Sequence, residues 1–153
     1  MITLDVNGQK YNLNIKPHDT LSDVLRDKLG LIGVRVSCSE GECGSCTVLI
    51  DGIPSTSCLM LANQLENKKI TTIEGLGSPD DLHPIQQAFI EEQGFQCAFC
   101  TPGIILTAKQ FLEENPNPTA EEVSFAMSGN ICRCGAYPFI VKAVLNAAEK
   151  MRH

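Results

Sequence analysis

The sequence is poor in aromatic residues and contains no tryptophan. Phe, Tyr and Trp make up 5% of its 153 residues, so aliphatic side chains must form most of the core. It has no apolar run long enough to cross a membrane. The formal net charge of −6 disfavours nucleic-acid binding, because proteins that bind nucleic acid usually carry a basic surface. The first residues lack the basic and apolar stretches of a secretory signal, and we therefore expect a soluble cytoplasmic protein.

Cysteine, by contrast, is abundant. The chain has eight cysteines, far more than core packing needs. A reducing cytosol keeps thiols free of disulfides, so we expect these thiols to bind metal. They form two groups of four, the first being Cys38, Cys43, Cys46 and Cys58, and the second being Cys97, Cys100, Cys132 and Cys134.

The segment between the two groups indicates a domain boundary. Residues 74–81 are rich in Gly, Pro and Asp, a composition typical of a linker. We therefore expect two domains, residues 1–76 and residues 77–153.

The first domain has the pattern of a small α+β sheet. Alternating apolar residues before and after Asn7-Gly8 predict a β-hairpin. Thr20 is expected to cap a short helix that ends near Leu29. Further strands are predicted at residues 47–50, before the turn Asp51-Gly52, and at residues 70–73.

The second domain has helical periodicity. We predict helices over residues 82–92, from 101 to about 115, after Thr119, and around 140–148. Thr119 and Glu122 have the spacing of a capping box. Short amphipathic helices joined by short loops are typical of a four-helix bundle.

The first cysteine group has the plant-type ferredoxin spacing, C-x4-C-x2-C followed by a distant fourth cysteine. Gly41 and Gly44 lie within the loop, where we expect left-handed backbone angles that let the chain wrap around a [2Fe–2S] cluster. Zinc is the alternative, although four-thiolate zinc sites usually consist of two closely spaced cysteine pairs.

The second cysteine group combines C-x2-C before one helix with C-x-C after another. N–H groups at a helix N-terminus favour the negative charge of thiolates. The spacing alone fits a [2Fe–2S] cluster, a zinc site or a redox-active dithiol. Arg133 lies between two of these cysteines and either offsets their charge or faces solvent. We expect all three histidines, His18, His83 and His153, at the surface.

Three stretches of the sequence resemble one family over nearly the whole chain. They are CSEGECGSCTVLIDG with the later Cys58, QCAFCTPGIIL, and GNICRCGAYPFIVKAV. Their order and spacing are similar to those of the iron–sulfur subunit of molybdenum hydroxylases, the xanthine oxidase, aldehyde oxidoreductase and carbon monoxide dehydrogenase type. The chain departs from common family forms at Ala98, where many members have Gly, and at Gly135-Ala136.

The resemblance implies a fold and a set of cofactors. The first domain would be a β-grasp, plant-type ferredoxin domain, and the second a four-helix bundle. All eight cysteines would be ligands of two [2Fe–2S] clusters. Gln96 would contact a molybdopterin-type cofactor in a large partner subunit, although the residue by itself is an ordinary surface amide. A second partner would carry FAD, unless a cytochrome replaces it.

The function that follows is electron transfer. The chain would relay single electrons from the molybdopterin site to FAD or another acceptor, and it would contain no catalytic residues of its own. A free-standing two-cluster ferredoxin is the main alternative, and a structural zinc protein without a redox role is the other.

Overall fold

The structure is a computed structural model that describes residues 1–153. Its first half contains a sheet of five strands, which are β1 (Ile2–Val6), β2 (Gln9–Leu13), β3 (Thr47–Ile50), β4 (Ile53–Thr56) and β5 (Lys69–Thr71). Their order across the sheet is β2-β1-β5-β3-β4. Strand β1 pairs in parallel with β5, and the other neighbours are antiparallel.

Both predicted hairpin turns are present. Asn7 and Gly8 have φ angles of 55° and 78°, and Asp51 and Gly52 have 50° and 83°. Two consecutive positive φ angles are the requirement of the type I′ turn, which matches the twist of the strands that it joins. The alternation in β1 is confirmed as well, because its first, third and fifth side chains are buried.

The helix that we predicted after Thr20 forms, but only its first turn is α-helical. Thr20 and Asp23 make a capping box at α1 (Leu21–Asp23). The chain then continues as a π-helix over Val24–Lys28. Its apolar side chains pack fully buried against the sheet.

The connection between the two halves differs from the prediction. The last strand ends at Thr71, and Ile73–Gly75 is a 3-10 helix. The side chain of Asn7 bonds both the backbone N–H and the hydroxyl of Thr72 at 2.9 Å. Ile73 and Leu76 pack against the helical core, so apolar contact draws the start of the presumed linker into the fold.

The second half contains four α-helices, as predicted. They are α2 (Pro84–Glu91), α3 (Thr101–Glu114), α4 (Ala120–Ala126) and α5 (Tyr137–Arg152). The capping box of Thr119 and Glu122 is confirmed. Helix α3 buries a wider face than one stripe, because it also contacts β3 and β4 of the sheet. None of the helices is long and apolar enough to cross a membrane.

Two hydrophobic cores result, one beneath the sheet and one among the helices. Each core includes two cysteines: Cys46 and Cys58 in the sheet core, and Cys100 and Cys132 in the helical core. Each half of the molecule therefore builds part of one cysteine group into its interior.

Candidate metal centres

The first cysteine group is shaped by a tightly wound loop between the π-helix and β3. Gly41 and Gly44 have φ angles of 78° and 73°, which confirms the expected left-handed backbone. Ser39 also has a positive φ angle, of 56°, and nothing in the sequence pointed to it. This winding turns backbone N–H groups inward: those of Glu40 and Cys43 lie 3.4 Å from the sulfur of Cys38.

The four thiols of this group form an outer pair and an inner pair. Cys38 and Cys43 lie partly exposed near the surface, whereas Cys46 and Cys58 lie buried in the interior. The N–H groups of Glu40 and Cys43 lower the pKa of Cys38 to about 6. Burial raises the pKa of Cys58 to about 11.

The second cysteine group repeats this arrangement on helix ends. Cys97 and Cys134 form an exposed outer pair, whereas Cys100 and Cys132 form a buried inner pair. The N–H of Phe99 lowers the pKa of Cys97, and burial raises the pKa of Cys100 to about 12. Burial also acts to raise the pKa of Cys132. Hydrogen bonds from nearby backbone N–H groups, first that of Ala136, outweigh the effect of burial, so the pKa of Cys132 is lowered.

Two pairs per group is the geometry that a two-iron cluster needs. Each iron of a four-cysteine [2Fe–2S] cluster is bound by two thiolates, whereas a zinc ion draws four ligands to one point. The donor set therefore fits [2Fe–2S] clusters, whose irons would keep even the high-pKa inner thiols deprotonated.

A tight contact region between residues 43–44, 103 and 129–131, here called the seam, joins the two cysteine groups. The N–H of Ile131 donates to the carbonyl of Cys43 at 2.8 Å, and the buried amide of Asn130 donates to the carbonyl of Gly44 at 3.1 Å. A Cβ at Gly103 would collide with that same Gly44 oxygen. The seam brings a residue adjacent to Cys132 into direct hydrogen-bond contact with a cysteine of the first group.

The seam and its surroundings include residues that sequence reasoning missed. Asn130 is 3% exposed, and the Tyr137 hydroxyl accepts from the N–H of Cys132 at 2.8 Å. The guanidinium of Arg35 lies 5.6 Å from the centre of the Phe99 ring, beside Cys97. No local signal identifies Arg35, because its partner is distant in sequence. Asn130 could have been identified from the sequence, because it is a polar residue between an apolar helix and a cysteine motif.

All but one of the remaining predicted residues are exposed. Gln96, beside Cys97, and Arg133, between Cys132 and Cys134, are both exposed. His18 and His153 are exposed as expected, but the prediction for His83 was wrong. The half-buried His83 caps α2, and its Nδ1 accepts from the N–H of Ile85 at 3.2 Å.

Two family models match consecutive parts of the chain. Residues 4–72 match a model described as a 2Fe-2S iron-sulfur cluster binding domain. Residues 72–145 match a model described as a [2Fe-2S] binding domain. The two cysteine groups fall one in each match.

Similar proteins cover nearly the whole chain. The nicotinate dehydrogenase small FeS subunit of Eubacterium barkeri is 47% identical over 97% of this chain and 95% of its own length. The crystal structure of quinoline 2-oxidoreductase from Pseudomonas putida superimposes with a TM-score of 0.94 at 43% identity, covering 99% of this chain and 94% of the matched chain. The aldehyde oxidoreductase from Desulfovibrio desulfuricans gives a TM-score of 0.94 at 45% identity over 99% of this chain, which spans 17% of that longer protein.

Proposed function

Because this chain belongs to the family of iron–sulfur subunits of the molybdenum hydroxylases, we propose that it relays electrons between a molybdenum-binding partner and an FAD-binding partner. It carries two [2Fe–2S] clusters, and it is a non-catalytic electron-transfer subunit of a larger oxidoreductase. The clusters, when bound, accept and release single electrons. The proposed compartment is the cytoplasm, where thiols stay reduced.

All eight cysteines are the proposed cluster ligands. In this proposal residues 1–76 form a ferredoxin domain that holds the first cluster through Cys38, Cys43, Cys46 and Cys58. Residues 77–153 form a four-helix bundle that holds the second through Cys97, Cys100, Cys132 and Cys134. The single observation that supports this assignment best is the division of each group into two outer thiols and two buried inner thiols.

The second site faces the molybdenum-binding partner in this proposal. Large apolar side chains that are between 37% and 52% exposed lie close in sequence to its cysteines, namely Phe95, Phe99, Ile131, Tyr137 and Phe139. An exposed apolar surface of this kind is typical of a protein interface. A free-standing carrier would instead be expected to show a polar surface here.

Gln96 is the proposed contact to the molybdopterin-type cofactor of that partner. Its amide is exposed, and it lies between Phe95 and Cys97 on the apolar surface. An amide offers both hydrogen-bond donors and an acceptor, which suits the polar edge of a pterin ring.

The first site faces the FAD-binding partner. Its outer pair, Cys38 and Cys43, is only partly buried, so a partner surface can approach it closely. The hydrogen bond from Ile131 to the carbonyl of Cys43 holds the two ligand loops together and gives electrons a short connection between them.

The test is to purify the complex gently through a tag on this chain and to measure iron, zinc, molybdenum and flavin per copy. We expect about four irons, because two clusters contain two irons each, with molybdenum and flavin on larger chains that co-purify. Four irons on a chain that purifies alone would favour the free-standing ferredoxin. Zinc in place of iron would overturn the redox assignment.

A further inference from the structure

The hydroxyl of Thr101 is the one buried side-chain polar atom of this protein that has no hydrogen-bond partner. Less than 1 Å² of its Oγ1 reaches solvent. Leaving a buried hydroxyl unpaired is costly, and nearly all such groups in native proteins find a partner. This exception therefore requires an explanation.

Other threonine hydroxyls in the chain are bonded within the protein. Thr107, on the same helix α3, donates to the carbonyl of Gly103 at 2.9 Å. Thr47 donates to the carbonyl of Gly44 at 2.7 Å. The free hydroxyl at Thr101 is thus a feature of its position, which directly follows Cys100 at the first residue of α3.

The missing partner must lie inside the protein. A docking subunit would contact atoms that are open at the surface, and the Thr101 oxygen is closed to solvent before any partner binds. The group that belongs beside Cys100, between the outer and inner thiol pairs of the second site, is a cluster with its sulfur atoms. The sulfide and thiolate sulfurs of such a cluster accept hydrogen bonds from nearby donors.

We propose that the Thr101 hydroxyl donates a hydrogen bond to a sulfur atom of the second [2Fe–2S] cluster and thereby raises its reduction potential. A donor stabilises the reduced form more than the oxidised form, because reduction adds negative charge to the sulfurs. Thr101 is a positioning residue in this role, since it neither binds iron nor transfers an electron. The inference rests on the proposed function, which assigns Cys97, Cys100, Cys132 and Cys134 to that cluster.

The experiment compares Thr101→Val, which has nearly the same shape but no hydroxyl, with Thr101→Ser, which keeps the hydroxyl. Thr107→Val is the matched control, because it removes a hydroxyl from the same helix that already has a protein partner. Each variant is purified as the whole complex through the tag on this chain. The potentials of both clusters are then measured by redox titration followed by electron paramagnetic resonance, with iron content determined in parallel.

At a given applied potential, we expect the ratio of oxidised to reduced second cluster to be about tenfold higher in Thr101→Val. This corresponds to a fall of about 59 mV in the reduction potential of that cluster. The first cluster should not shift, and Thr101→Ser and Thr107→Val should both stay close to the unmodified complex. Four irons with an unchanged second potential in Thr101→Val would overturn the inference and leave the proposed function intact. Equal shifts in Thr107→Val would overturn it too, because they would indicate a general effect on the helix.

A second measurement covers the case in which Thr101→Val assembles poorly. Pulsed electron paramagnetic resonance of the unmodified complex and of Thr101→Ala, in light and heavy water, counts exchangeable protons coupled to the second cluster. If the Thr101 hydroxyl donates to the cluster, Thr101→Ala should show one proton coupling fewer. Identical spectra would contradict the inference. Absence of any iron signal in the unmodified complex would instead contradict the proposed function itself.

Discussion

The two cysteine sites reach the same arrangement from different kinds of local structure. In the first, three of the four cysteines lie in one loop whose glycines set its path. In the second, two short cysteine pairs come from helix ends that are far apart in sequence and meet only when the helices pack. Both nevertheless have an outer thiol with a lowered pKa and an inner thiol whose pKa burial raises, as Cys38 and Cys58 or Cys97 and Cys100 illustrate. A wound loop in the first site and helix packing in the second thus both produce a set of four thiols with an outer and an inner part.

The largest expected effect comes from removing one inner cysteine from each site. Cys58→Ser and Cys100→Ser should each lower the iron content from about four to about two per chain, because a cluster contains two irons and serine is a poor substitute for thiolate. Iron analysis and the two resonance signals report which cluster is lost. Retention of all four irons in either variant would contradict the ligand assignment, and the intact signal of the other site serves as the internal control.

The seam between the sites should be nearly as sensitive. Gly44→Ala combines a left-handed backbone with a Cβ only 2.6 Å from the carbonyl oxygen of Gly129, and we expect a loss of about 3 kcal/mol of stability. Gly103→Ala meets the Gly44 oxygen and should lose about 2 kcal/mol. The measurement is the thermal unfolding midpoint, together with the temperature at which cluster absorbance disappears.

Gly129→Ala provides the control for this pair of substitutions. Its Cβ would meet nothing within 4 Å, and its backbone is not left-handed. It should unfold close to the temperature of the unmodified protein. If all three variants lost stability equally, the effect would come from glycine replacement in general and not from the seam.

A smaller effect concerns pH and the helical half alone. Burial, with the charge of Lys109, holds the pKa of His83 below its usual value of 6.5, so its neutral form caps α2. As the pH falls below about 6.5, the unfolded chain binds a proton more readily than the folded one, and stability decreases. Loss of the cap should amount to about 1 kcal/mol.

The unfolding midpoint between pH 7.5 and 5.5 should therefore fall more in the unmodified protein than in His83→Asn, which keeps a capping side chain that does not titrate. Equal slopes in both proteins would remove His83 as the cause.

The smallest expected effect concerns one residue in each cysteine loop with a strained backbone. Ala98 and Ser39 have φ angles of 62° and 56°, a conformation that side chains disfavour and glycine accepts. Ala98→Gly and Ser39→Gly should each raise stability by about 0.5 kcal/mol, since relief of strain slightly exceeds the added flexibility of the unfolded chain. Ala126→Gly, within α4, should lower stability by a similar amount. A loss of stability in Ala98→Gly would show that its methyl group makes contacts that outweigh the strain.

Much of the architecture could be predicted because it depends on short-range patterns. The two type I′ turns follow from Asn7-Gly8 and Asp51-Gly52, and the cap of α4 follows from the spacing of Thr119 and Glu122. The resemblance to the molybdenum hydroxylase subunits, which rested on the cysteine motifs, is confirmed by the matched families and relatives. The errors fall where distant contacts override local preference. The segment after Thr71 is one example, because it leaves the sheet to pack its apolar residues against the helices.

The sequence by itself determined the kind of cofactor, because its two cysteine motifs together resemble those of one family, and it determined the order of strands and helices along the chain. Only the tertiary structure decided which thiols pair, which pair is buried and how closely the two sites approach. These properties depend on contacts between residues far apart in the chain, such as the bond from Asn130 to Gly44, which spans 86 positions. The unpaired hydroxyl of Thr101 is likewise visible only after folding, because a donor is identified as lacking a partner only when everything around it is in place.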